Sequence, residues 1–225
     1  MTTHLVTGAG SGIGAELTRR LHERGDDLVL LARSEDRAAE LRTAYAGATV
    51  LVADLAWPES VEGLELPREL DSVVHAAGVV ELGTVAELSV EDWATQLRVN
   101  LVAPAALTRV ALPALRAARG TVVFVNSGSG LTAHAGWSAY AASKHGLRAL
   151  ADALRAEEAE QGVRVSSVFP GRTATPMQEK VHRHEGKPYD AGQWIRPETV
   201  ADTIVRLIDL PRDATIPEVV VRPAG

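Results

Sequence analysis

The chain of 225 residues carries 23 Lys+Arg against 29 Asp+Glu, a formal charge of −6, 46% hydrophobic residues and no cysteine. That length and composition suit one compact domain, residues 1–225, able to bury a sizeable core, and exclude intrinsic disorder. Lack of cysteine removes disulfides, iron–sulfur clusters and thiolate zinc, and the missing basic excess argues against a nucleic-acid partner.

Met1-Thr2-Thr3-His4 runs almost directly into Leu5-Val6 with no basic stretch before it, and apolar runs such as Thr121–Val125 are far shorter than a bilayer span. The expectation is a cytoplasmic protein with no membrane partner. Short β-branched or leucine-rich runs then alternate with longer segments of helical period. In chain order, the pattern predicts a strand at His4–Thr7, a helix at Gly12–Arg24, a strand at Leu28–Ala32 and a helix at Ser34–Ala46. A strand at Thr49–Ala53 leads into Pro58–Leu70, read as a short helix plus loop because two prolines and a glycine interrupt it. Strand Ser72–Ala76, helix Val90–Ala117, strand Thr121–Asn126 and helix Tyr140–Gln161 come next. Strand Arg164–Phe169, helix Pro197–Leu210 and strand Glu218–Arg222 complete the series. Ser34 and Ser89 stand as N-caps ahead of acidic residues, and Gly162 follows a helix as a stop.

Seven strands, most apolar on both faces, alternating with helices, predict an α/β fold: a Rossmann-like, doubly wound parallel sheet with helices on both sides, in three αβα layers. One segment fits neither period. Thr173–Ile195 is polar, rich in Gly, Pro and His, and its 23 residues exceed an ordinary loop, so it is expected to be a substrate loop or flap.

The first strand ends in Thr7-Gly8-Ala9-Gly10-Ser11-Gly12-Ile13-Gly14, and a helix follows at once. Glycines at such a turn let backbone N–H groups and the helix N-terminus approach a pyrophosphate without a Cβ in the way. The spacing is G-x-x-x-G-x-G, at Gly8, Gly12 and Gly14, rather than the commoner dinucleotide pattern. Arg33 follows the second strand, where a carboxylate would hold the adenosine ribose of NAD; a guanidinium suits the 2′-phosphate of NADP. NADP(H) is therefore the preferred cofactor, with NAD(H) also possible; the plain alternative for Arg33 is a solvent-facing arginine. Asp54, ahead of Leu55 at the end of the third strand, could serve the adenine amino group or simply cap a turn. Ala77-Gly78, after the fourth strand, offers small residues against which a cofactor could lie.

Tyr140 and Lys144 stand four residues apart, one helical turn, on one face. A phenol with a reference pKa near 10 needs help to exchange a proton at neutral pH, and a cation about 4 Å away favours its anion by up to roughly 4 kcal/mol. Ser127, at the end of the fifth strand, is placed to hold a substrate oxygen, with Ser129 as competitor and Ser143 as the weaker choice.

Taken in order, Gly8-x-x-x-Gly12-x-Gly14, Arg33, Asp54, Asn100, Ser127 and Tyr140-x-x-x-Lys144 resemble the short-chain dehydrogenase/reductase family in its short single-domain form. The resemblance implies Tyr140 as general acid/base, Lys144 holding the nicotinamide ribose and lowering the tyrosine pKa, and Ser127 orienting the carbonyl or alcohol. It implies that Asn100 fixes a water joining Lys144 to solvent, against the alternative of a solvent-facing helix asparagine. It also implies that the loop Pro170-Gly171-Arg172-Thr173-Ala174-Thr175 contacts the nicotinamide carboxamide, and that the chain forms a homodimer or homotetramer. The family's usual Asn-Asn-Ala-Gly reads here His75-Ala76-Ala77-Gly78, so no role is given to His75.

Val181-His182-Arg183-His184-Glu185 raises the question of a metal, but residues i and i+2 diverge on a helix and no further ligand is evident, so none is expected. Trp137 and Trp194 are the tryptophans expected near substrate. The sequence thus leads to an NADP(H)-dependent oxidoreductase acting on a small carbonyl/alcohol pair. The alternative is a non-catalytic, dinucleotide-sensing regulator of the same fold; a nucleotide-sugar epimerase or dehydratase is disfavoured for want of a substrate domain.

Overall fold

A computed structural model describes residues 2–224. Its strands are β1 (Thr3–Thr7), β2 (Asp27–Ala32), β3 (Thr49–Val52), β4 (Ser72–His75), β5 (Thr121–Val125), β6 (Arg164–Pro170) and β7 (Glu218–Val221). All pair in parallel, in the order β3-β2-β1-β4-β5-β6-β7. The helices are α1 (Gly12–Arg24), α2 (Glu35–Ala44), α3 (Val90–Leu97), α4 (Ala103–Ala118), α5 (Ser138–Glu157), α6 (Pro176–His184) and α7 (Pro197–Ile208). The expected Rossmann-like fold is the observed one.

The two faces of the sheet can be read directly from neighbouring residues. Leu5, Val29, Val73 and Val122 enter one buried layer with Leu107, Leu115 and Leu147, while the next residues, Val6, Leu30, Val74 and Val123, enter the other with Leu17, Leu21 and Ile204. Successive side chains of a strand point to opposite faces, so a sheet covered twice must be apolar at consecutive positions. Each such leucine or valine, fully buried, contributes about 1.5–3 kcal/mol.

Connectivity reverses between β1 and β4, and in open parallel sheets the crevice at that switch point, beyond the carboxyl ends of the strands, is where ligands bind. Both strands are followed there by small residues, Gly8-Ala9-Gly10 after β1 and Ala76-Ala77-Gly78 after β4. Thr7 Oγ1 accepts hydrogen bonds from the N–H groups of Ala76 and Ala77, each at 3.1 Å, which locks the two turns together.

Local chemistry set most boundaries. Ser34 caps α2, and Ser89 forms a capping box with Asp92 ahead of α3. Four expectations need correction. Helix α7 ends at Ile208 rather than Leu210, with Asp209 as its C-cap. Helix α2 stops at Ala44 rather than Ala46, because Tyr45 leaves the helical region and Gly47 takes φ 88°. Helix α5 covers Ser138–Glu157 rather than Tyr140–Gln161, so Tyr140 lies within its first turn. The long helix predicted at Val90–Ala117 runs to Ala118 and is interrupted by a π turn at Arg98–Val102, a feature that often marks functional positions. Over Val90–Ala118 this stretch reaches 29 residues with hydropathy 1.3, long and apolar enough to cross a bilayer by those measures, but Leu107, Ala111 and Leu115 bury it against the sheet.

The segment Thr173–Ile195 is also more ordered than expected, since it contains α6. Thr175 caps the helix through its hydroxyl and Pro176 fills the first turn, a standard start signal. Its buried face consists of Gln178, Val181 and His182, and the two polar members hid the helical period from a hydrophobicity reading.

Candidate active site

The glycine turn fits a bound dinucleotide at two positions where a side chain has no room. Gly8 has φ 72°, in the left-handed region, and a Cβ there would lie 2.8 Å from Ala77 N. At Gly14 a Cβ would lie 2.3 Å from the Gly8 carbonyl oxygen. The turn is therefore packed to its backbone, and α1 begins beside it. Ser11, its N-cap residue, makes no side-chain capping bond, and no acidic residue occupies the first turn. That leaves N–H groups and a positive helix end for an anion.

Arg33 is exposed just beyond β2. A second guanidinium, which sequence reading missed, approaches the same corner. Arg37 Nη2 donates to the Gly10 carbonyl at 3.4 Å and lies only 2.6 Å from where a Gly10 Cβ would stand. Spacing gave no signal for it, because Arg33 precedes the extended Ser34 cap and only Arg37 lies in α2; the link to Gly10 exists only in the folded chain. Asp54 Oδ1 accepts from Ala56 N at 3.0 Å, the behaviour of a turn aspartate, while Leu55 packs partly into the core.

Across the crevice, Tyr140 and Lys144 are both buried, and the ammonium lies 5.8 Å from the phenol ring centroid. Burial raises the phenol above its ordinary pKa, and a hydrogen bond from Ser127 works in the other direction. Desolvation pushes Lys144 down to about 8. Its Nζ donates to the Val125 carbonyl at 3.0 Å. The expected acidification of the tyrosine by the lysine does not enter this shift, whose largest cause is burial; the ammonium is held by the Val125 carbonyl of β5.

The elements around this pair explain its placement. Ser127 lies two residues beyond β5, capping the short turn Gly128–Gly130; its hydroxyl accepts from Ser129 N at 3.1 Å, so Ser129 braces its competitor through the main chain. Asn126, another residue missed in the sequence, accepts from Ser127 N at 2.9 Å and donates to the Lys144 carbonyl at 3.1 Å, coupling β5 to α5. Asn100 sits in the π turn and is buried rather than solvent-facing. Its carboxamide accepts from Val79 N and donates to Val79 O, both at 2.9 Å, and also donates to Ser143 Oγ at 3.0 Å. Ser143 in turn donates to the Tyr140 carbonyl at 2.7 Å. Gly78 keeps the space between these groups open: a Cβ there would stand 3.3 Å from Asn100 Oδ1 and 3.8 Å from Lys144 Nζ.

A cavity of about 460 Å³ joins Ile13 of the glycine turn to Ser127 and Tyr140, and continues past Pro170, Gly171, Thr173 and Thr175. Trp137, Met177 and Val181 give it an apolar wall, and Trp137 meets Tyr140 edge-on at 5.9 Å. Trp194 stands behind that wall, under the Arg172 guanidinium at 5.4 Å. The residues of Val181–Glu185 go separate ways: His182 is buried against Gln178, Tyr189 and Trp194, His184 faces Glu81, and Glu185 pairs with Arg172. His75 is fully packed on Phe124 and bonds Thr108, and burial takes its pKa down to about 3.

A backbone-lined turn at the switch point, facing the half-buried Ser127 and the buried Tyr140 and Lys144 across one cleft, defines a dinucleotide-binding protein with redox chemistry. A family model described as short chain dehydrogenase matches residues 2–186, and the chain belongs to that family of oxidoreductases. It is 32% identical over 228 residues to an uncharacterized short-chain type dehydrogenase/reductase of Sinorhizobium fredii, covering 98% of this chain and 91% of the relative. Among solved structures, it is similar to an alcohol dehydrogenase from the archaeon Thermococcus sibiricus complexed with 5-hydroxy-NADP: 28% identity, TM-score 0.85, and coverage of 100% and 97%. A 4-hydroxyisoleucine dehydrogenase complexed with NADH matches with 26% identity, TM-score 0.85, and coverage of 99% and 98%.

Proposed function

We propose that this oxidoreductase interconverts a carbonyl and an alcohol, prefers NADP(H), and uses Tyr140 as its general acid/base. The observation that carries this reading is the buried Tyr140 phenol, hydrogen-bonded by Ser127 and backed by Lys144, on the cavity that reaches the glycine turn. When bound, the nicotinamide supplies the hydride equivalent.

The chain's own residues handle the proton and the orientation. Ser127 holds the substrate oxygen and Tyr140 Oη gives that oxygen its proton as the carbonyl becomes an alcohol. Burial keeps the phenol protonated at neutral pH, the form that reduction requires. Lys144, still largely cationic below its pKa of about 8, binds the ribose hydroxyls and returns a proton toward Tyr140. Asn100 Oδ1 and Lys144 Nζ border the same small space at Gly78, which suits a water relaying that proton to solvent. The Gly8–Gly14 turn takes the pyrophosphate, Asp54 and Leu55 the adenine side, Ala77 and Gly78 the nicotinamide ribose side, and the Pro170–Thr175 loop the carboxamide. The preference for NADP(H) rests on Arg33, with Arg37 beside it, at the position where a carboxylate would favour NAD.

The test is a panel of aldehydes, ketones and alcohols followed at the reduced-nicotinamide absorbance. Carbonyl-dependent consumption of NADPH, faster than of NADH, is the expected result; a panel with no turnover under either coenzyme contradicts it.

A further inference from the structure

The cavity beside Tyr140 is lined by two arginines and one histidine and, among the described residues, by no Asp or Glu. This is notable in a chain whose formal charge is −6. The two arginines differ. Arg172 is committed: it donates to both oxygens of Glu185, at 3.0 and 2.6 Å, and lies over Trp194. Arg222, just beyond β7, pairs with no carboxylate among the described residues and reaches across to the turn that follows Ser127. Gly128 makes room for it, since a Cβ there would lie 3.0 Å from Arg222 Nη1. A guanidinium fork with no carboxylate partner among the described residues therefore lies beside Gly128, one residue beyond the hydroxyl assigned to the substrate oxygen.

We propose that Arg222 is a specificity-determining residue that binds a carboxylate on the substrate, so that the preferred substrates are oxo acids and the matching hydroxy acids. This rests on the carbonyl/alcohol reading above and adds the substrate class. The planar fork matches the two oxygens of a carboxylate. The wall of Trp137, Met177 and Val181 accommodates the carbon chain between the acid and the reacting carbon.

The experiment compares 3-oxobutanoate and 4-oxopentanoate with their methyl esters as substrates of the wild-type holoenzyme, Arg222→Gln, Arg222→Lys and Gly128→Ala. The acid-to-ester ratio of kcat/KM is expected to favour the acids by about tenfold, the weight of a hydrogen bond to a charged group. It falls toward one in Arg222→Gln, mostly through KM for the acids, recovers in part in Arg222→Lys, and drops in Gly128→Ala. Added salt raises KM for the acids alone. Turnover of neutral carbonyls with no acid preference, or with one that survives Arg222→Gln, overturns this inference and leaves the carbonyl/alcohol reading intact. If neither these acids and esters nor any carbonyl of the wider panel turns over, that reading falls, and quenching of tryptophan fluorescence by the oxo acids, with NADP+ or NAD+ present, decides the inference separately. Affinity for the acids weakened about tenfold in Arg222→Gln supports it; equal affinity overturns it.

Discussion

The two walls of the central crevice are built from different materials. On one side, from Gly8 to Gly14 and from Ala76 to Gly78, the surface is main chain packed on main chain, closed by the Thr7 hydroxyl and leaving no space for a Cβ at Gly8 or Gly14. On the other side, side chains from the turns after β5 and β6, from α5 and α6, and from just beyond β7 converge on the cavity. A main-chain wall is specified by a few adjacent residues and tolerates almost no change. A side-chain wall is assembled from distant residues, each of which can be altered alone, so it is where discrimination between small molecules resides.

The sharpest way to break this contrast is Gly14→Val. Its side chain would collide with the Gly8 carbonyl, so the variant should lose dinucleotide uptake and about 1–3 kcal/mol of stability, read by thermal denaturation and coenzyme titration. Wild-type uptake by this variant would mean that the turn is not the binding wall. Charge at the rim of the same wall should have a smaller, selective effect. Arg33→Asp should lower the NADPH-to-NADH ratio of kcat/KM by about tenfold, with the Arg37→Ala effect lying in the same direction. Equal use of both coenzymes by the parent would remove the basis for that assignment.

The smallest expected effect concerns the floor of the crevice. Burial holds His75 down to about 3, whereas its reference value is 6.5. Between those values the unfolded chain takes up the proton and the folded chain does not, so stability falls as pH drops below about 6.5, by at most about 1.4 kcal/mol per pH unit. His75→Asn should flatten that acid slope in a series of denaturant titrations, although His4, also lowered by burial, retains part of it. An unchanged slope would show that His75 does not carry the effect.

The same contrast accounts for what could be read without coordinates. All seven strands ended within one residue of expectation, because a doubly covered sheet writes itself as consecutive apolar residues. The glycine turn and the Tyr140–Lys144 pair were legible because each lies within a few residues of chain. Arg37, Asn126 and Arg222 were not singled out, since their significance comes from partners far away or at a turn: Gly10, the Lys144 carbonyl and Gly128. Helix α6 escaped notice for a related reason, two of the three residues on its buried face, Gln178 and His182, being polar. The pKa of Tyr140 also depended on burial, which spacing alone does not convey.

The proton assignment is tested most directly by Tyr140→Phe, which removes only the phenol oxygen. With the carbonyl that the wild type reduces fastest, kcat should fall by about 10²- to 10⁴-fold while coenzyme affinity and thermal stability stay close to wild type. Turnover retained within a few-fold, with the coenzyme bound, would contradict the role given to that hydroxyl.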